Sequence, residues 1–165
     1  MAKRFLVPFD LSEYSLDASN EAIELAKLFG GGSSITFVHI LEPNPYQAYS
    51  DVLYDTSEAE RAVEDEIVAK VNEWFSQVAE RCDSNNVPST MDILFERGSI
   101  TKAIADYAKN MSADLIVIGH SSIHGVGKWL KGDVAKGVID HAYLLLVLYW
   151  LLKGSSISSS IAEQF

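Results

Sequence analysis

The sequence predicts an α/β fold: a single doubly wound domain in which a five-stranded parallel sheet carries helices on both faces. Three observations carry this reading. Short β-branched apolar runs alternate with longer segments of helical period along the chain, the pattern of strands joined by crossover helices. Most of the strand-like runs are apolar without a polar alternate position, as strands covered on both faces are. The length of 165 residues suits one domain with its own core, and no internal repeat divides it. The crossovers are expected to be right-handed.

The first strand is Arg4-Phe5-Leu6-Val7-Pro8-Phe9, with Pro8 tolerated only near its end. Asp10 to Ser15 then offers several helix N-caps. Ala18, Ala22, Leu25, Ala26 and Phe29 form one apolar stripe at helical spacing, and Gly30-Gly31-Gly32 stops the helix. Ser34 to Leu41 is a second buried strand. Glu42 to Thr56 is a loop with Pro43 and Pro45, whose Tyr46, Tyr49 and Tyr54 either close over a site or simply pack. A long helix runs from Ser57 to about Asn85, with Val63, Ile67, Val71, Trp74, Val78 and Cys82 on one face. Asn85-Asn86-Val87-Pro88 breaks it. Met91, Ile93 and Phe95 alternate with Asp92 and Glu96, the mark of a strand near a sheet edge.

A third helix carries Ile100, Ile104, Tyr107 and Ala108. Leu115-Ile116-Val117-Ile118 is a fourth strand ending in Gly119. A polar loop with Gly125 and Gly127 leads to Gly132. Asp133 to Asp140 reads as a short fourth helix, and Tyr143 to Leu152 as the last strand. The domain is expected to occupy residues 1–152, and residues 153–165 to form a loose Ser-rich tail.

Composition narrows the function. There are 13 basic and 23 acidic residues, a net charge of −10, so the chain lacks the electrostatic footprint of a nucleic-acid or anionic-membrane binder. The longest apolar run, Tyr143 to Leu152, is half the roughly 20 residues a membrane helix needs. Lys3 and Arg4 are followed by too short an apolar stretch for a signal peptide. The single cysteine, Cys82, allows no internal disulfide. The expectation is a soluble, cytoplasmic protein.

In open α/β sheets a ligand sits beyond the carboxyl ends of the strands, at a topological switch point. Asp10 ends the first strand and Gly119 the fourth. If those strands are neighbours, the two ends form one crevice.

Five stretches, in order, resemble the universal stress protein family of the A type. They are Leu6-Val7-Pro8-Phe9-Asp10 with Ser12-Glu13, Phe37-Val38-His39-Ile40, the helix start from Gly98 to Ile104, Ala113-Asp114-Leu115-Ile116-Val117-Ile118-Gly119, and Gly132-Asp133-Val134-Ala135 with Val138, His141 and Ala142. The resemblance covers residues 4 to about 149. It implies a strand order of 3-2-1-4-5, with strands one and four side by side. One branch of that family binds ATP. The resemblance then implies a nucleotide site at Pro8, Phe9, Asp10, Ile40, Ile118, Gly119, His120, Ser122, Gly132, Asp133 and Val134.

The family's ATP signature is Gly, two residues, Gly, nine residues, then Gly followed by Ser or Thr. Its glycines bring backbone N–H groups to phosphate, and a helix N-terminus adds positive charge. Here Gly119 and Gly132 keep their places, Ser122 replaces the second glycine, and Asp133 replaces the hydroxyl residue. A carboxylate at a helix N-cap satisfies the N–H groups itself and repels phosphate. Weak or absent ATP binding is therefore expected. The opposing reading has Asp133 hold Mg²⁺ against the phosphates. No other cofactor is expected.

The remaining candidates have plainer accounts. Asp10 reads equally as a helix cap. His39 reads as a packed strand residue, and Cys82 as core. His120 and His124 lie in a loop, where helical ligand spacing does not apply, and nothing else suggests a metal. Lys128 and Lys131 read as solvated. Ser121, His120 and Asp10 could be drawn as a triad, but no motif fixes such a geometry. The function expected is a non-catalytic stress-response or signalling homodimer, the alternative being an ATP- or AMP-binding module with at most slow hydrolysis. The dimer is expected through the last strand at Leu145, Val147 and Tyr149. That strand has no Pro, Lys or inward charge to protect an edge.

Overall fold

β1 (Arg4–Pro8) is the central strand of a five-stranded sheet. The computed structural model describes residues 1–42, 57–96, 98–120, 134, 137–138 and 145–150, with residues 57–60, 120 and 145–150 described by their backbone alone. Along the chain, α1 (Glu13–Phe29), β2 (Ser34–Leu41), α2 (Ser57–Ser84), β3 (Ser89–Phe95), α3 (Ile100–Asn110), β4 (Leu115–His120) and β5 (Leu145–Trp150) follow. The strand order is β3-β2-β1-β4-β5, and every pairing is parallel. Phe5 lies opposite Ile35 on one side and Leu115 on the other. The chain order reverses at β1, so the switch point lies between β1 and β4.

Alternation along the strands sorts the core into two layers. Phe5, Val7, Phe9, Ile35, Phe37, Leu115 and Val117 pack with Ala18, Ala22 and Leu25 of α1 and with Val71, Val78 and Cys82 of α2. Leu6, Val38, Ile40 and Ile116 pack on the other face with Ile104 and Ala108 of α3 and with Val138. β3 is an edge strand, and its residues are at best half-buried, as its alternation implies.

Local chemistry sets the element ends. Ser12 caps α1 by accepting from the Ser15 N–H, and Gly30 ends it at φ 87°. α2 ends with Asn86 in the left-handed region. The Val87 N–H then donates to the Cys82 carbonyl and the Asn86 N–H to that of Asp83. α3 ends in the same way at Ser112, with Ala113 donating to Ala108 and Ser112 to Lys109. Both endings satisfy orphan carbonyls without glycine.

One expectation about the core needs correction. Val63, placed on the apolar stripe of α2, is 57% exposed. A helix of 28 residues is about 42 Å long, nearly twice the roughly 23 Å of a seven-residue strand. One end of α2 therefore has no sheet to cover. The first strand also closes one residue earlier than expected, although the Phe9 N–H still reaches the Val38 carbonyl at 3.0 Å. Residues 134, 137 and 138 are helical, within the expected fourth helix. Tyr46, Tyr49, Tyr54, Gly125, Gly127 and the tail lie outside the described residues.

Candidate functional site

The carboxyl ends of β1 and β4 lie side by side, because Leu6 pairs with Ile116 and both strands run the same way. Pro8, Phe9 and Asp10 leave the sheet on one side of this crevice, and Ile118 and Gly119 line up on the other. The first turn of α1 lies directly against Gly119. A Cβ at that position would sit 2.4 Å from the Tyr14 carbonyl oxygen and 2.6 Å from its carbon. Gly119 is thus required by helix–strand packing.

Asp10 is the chemical feature of the crevice. Its Oδ1 accepts from the Ser12 N–H at 3.1 Å. Its Oδ2 is buried and has no hydrogen-bond partner among the described residues. A buried carboxylate oxygen left without a donor is costly, so it marks a place where a donor belongs. The plain reading of Asp10 as the helix cap is overturned: Ser12 holds that place, and its hydroxyl oxygen accepts the Ser15 N–H. Leu11, between them, is left-handed at φ 65°, a strained setting for a branched side chain.

Phe9 is held on three sides. Its N–H donates to Val38, and its carbonyl accepts from Nδ1 of His39 at 2.9 Å. Its ring stacks on Trp74 at 4.1 Å with the planes 6° apart. His39 is a buried strand residue, as expected. Burial pushes its imidazole below the usual range, opposed in part by the Phe9 carbonyl and the charge of Asp10. The roles of Leu11, Tyr14 and the His39 clamp had no signal in the sequence.

The other predicted residues divide clearly. Ile40 is buried on the α3 face with Leu6 and Val38, and Val134 packs half-buried against the same layer. His120 is the last residue of β4. Leu145, Val147 and Tyr149 stand opposite Leu115, Val117 and Gly119 on β5. Ser122, Gly132 and Asp133 lie outside the described residues, as do His124, Lys128 and Lys131. Cys82 is fully buried, and burial raises its thiol pKa.

Known proteins resemble this chain in sequence and fold. The model of the universal stress protein family matches residues 1–144. A protein of Staphylococcus haemolyticus named as a universal stress protein is 26% identical over 142 residues, covering 85% of this chain and 79% of its own. A solved structure from the same family in Burkholderia pseudomallei superposes with a TM-score of 0.67 at 18% identity, over 88% of this chain and 94% of that one. The universal stress protein of Archaeoglobus fulgidus in complex with dAMP superposes with a TM-score of 0.56 at 20% identity, over 90% and 97%. With a family match spanning nearly the whole chain and a sheet of the order 3-2-1-4-5, this chain belongs to the universal stress protein family.

Proposed function

We propose that this chain is a non-catalytic, cytoplasmic stress-response module that recognises an adenine nucleoside or nucleoside monophosphate and has lost the grip on a triphosphate. The observation that carries the reading is the buried Oδ2 of Asp10 at the switch point, which has no hydrogen-bond partner among the described residues. A carboxylate oxygen there fits the hydroxyl or amino donors of a nucleoside and disfavours a phosphate. The dAMP complex of the Archaeoglobus fulgidus relative supports the choice of ligand class. Ser122 and Asp133 weaken the phosphate end, since one removes a glycine and the other adds negative charge.

Calorimetric titration with adenosine, dAMP and ATP tests the reading, with and without Mg²⁺. Asp10→Asn is expected to weaken dAMP by about 10- to 100-fold, the range for a hydrogen bond to a charged group. Ser122→Gly with Asp133→Ser is expected to raise ATP affinity, the removal of the carboxylate giving most of the gain. ATP carried through purification of the unaltered protein would overturn the proposal and favour Mg²⁺ held at Asp133.

We further propose a homodimer through β5. That strand forms one end of the sheet order, and its sequence is apolar throughout, which is how a strand that recruits another strand reads. Val147→Lys would bury an unpaired charge and is expected to give monomers in sedimentation at micromolar concentration. A monomeric unaltered protein would rule the assembly out.

A further inference from the structure

A backbone donor aims Asp10: its Oδ1 takes the Ser12 N–H. The direction of the carboxylate therefore depends on the peptide that joins Phe9 to Asp10. That peptide lies beyond β1, and the last ladder bond is made by the Phe9 N–H. The Phe9 carbonyl is held instead by Nδ1 of His39, from β2, at 2.9 Å. One residue after Asp10 the chain enters the left-handed turn at Leu11. A strained turn persists only where its surroundings over-determine it. His39 is also a buried polar ring in an otherwise apolar stretch of strand, where an aliphatic residue would pack without needing a partner.

We propose that His39 is a positioning residue for Asp10, acting through the Phe9–Asp10 peptide; this rests on Asp10 being the carboxylate that meets the nucleoside. Because a carbonyl can only accept, the proton of the neutral imidazole resides on Nδ1. The ring also packs on Phe9, at a centroid separation of 5.2 Å, and Phe9 is backed by Trp74. Imidazole, Phe9 and the Asp10 turn thus form one connected unit.

Two variants test this in the full-length protein. Asn at position 39 places an amide N–H near the Nδ1 position, and Val removes the donor. Nitrogen NMR of the unaltered protein is expected to show the Nδ1-protonated tautomer. In the unliganded protein, exchange protection of the Ser12 amide is expected to fall about tenfold in His39→Val and to return to within about threefold in His39→Asn. Affinity for dAMP is expected to follow the same order. An Nε2-protonated neutral tautomer would overturn the proposal. So would a folded His39→Val that keeps Ser12 protection, or a His39→Asn as defective as the valine variant. If the valine variant does not fold, the tautomer and the asparagine variant still decide. Should the unaltered protein bind no dAMP while Ser12 protection follows His39, the nucleoside reading fails and the positioning role stands.

Discussion

Gly119→Ala is the sharpest test of how the site is built. The added methyl would lie 2.4 Å from the Tyr14 carbonyl oxygen, 2.6 Å from its carbon and 3.1 Å from its Cβ. Non-bonded carbons pack at about 3.5–4.0 Å, so helix and strand must separate by roughly 1 Å. The two closest atoms met are Tyr14 main chain. Truncating the Tyr14 side chain therefore leaves the clash in place. Overpacking typically costs about 1–3 kcal/mol, and a clash between two rigid elements belongs near the upper end, about 3 kcal/mol. For a chain of this length that is a loss of about 6–12 °C in melting temperature. The same displacement moves the start of α1, where Ser12 holds the Asp10 carboxylate, so ligand affinity is expected to fall with stability. Urea and thermal unfolding at one fixed protein concentration measure the effect. Gly31→Ala is the control, because a Cβ there meets nothing within 4 Å; it is expected to change stability by less than about 0.5 kcal/mol. A Gly119→Ala variant as stable as that control would refute the packing argument.

Three further outcomes follow from side chains away from the crevice. The Tyr107 hydroxyl donates to Asp92, and burial together with that bond pushes the phenol up to about 12. The protonated form is the one the fold favours, so its stabilisation is complete below the unfolded value of about 10 and disappears as pH rises toward 12. Tyr107→Phe is expected to cost about 1 kcal/mol at neutral pH, with urea midpoints of variant and parent converging above pH 10; a constant gap across that range would contradict it. Asp114 accepts from the Arg4 N–H at 2.8 Å and from the Lys3 ammonium at 3.3 Å, and its carboxyl is held below the usual 3.8. A depressed carboxyl stabilises above its unfolded value and loses that effect in acid, so Asp114→Asn is expected to cost less than about 1 kcal/mol at pH 7, and nothing once the pH falls well below 3.8. Cys82 is buried, and its thiol is pushed up by burial. Its reaction with an aromatic disulfide reagent is expected to track urea unfolding, and rapid stoichiometric labelling of the native protein would disprove its place in the core.

Much of the architecture was legible in the residues because burial on one face or both is written locally. The stripe from Ala18 to Ala26, the apolar run Ser34 to Leu41 and the half-polar run around Asp92 each report how the element meets its surroundings. Periodicity requires no knowledge of the partner. Glycine at the end of α1 was equally plain, since Gly30 takes φ 87°. The ends of α2 and α3 were harder to read: Asn86 and Ser112 adopt the same left-handed region without glycine, and only the capping bonds that surround them make this affordable in energy.

What the sequence determined by itself is the alternation of elements, the sheet's parallel character and the presence of Asp10 and Gly119 at two strand ends. The family resemblance added the strand order. Only the tertiary structure decided what those two residues face. Tyr14 rests on Gly119 from a distance of 105 positions (119 − 14), and His39 reaches the Phe9 carbonyl across 30. It also decided that Val63 points to solvent, because helix and strand differ in rise per residue. The physical reason is common to the two contacts. A residue's own period fixes which side of an element is apolar, whereas contacts between elements depend on the register in which distant segments pack, and no single segment carries that register.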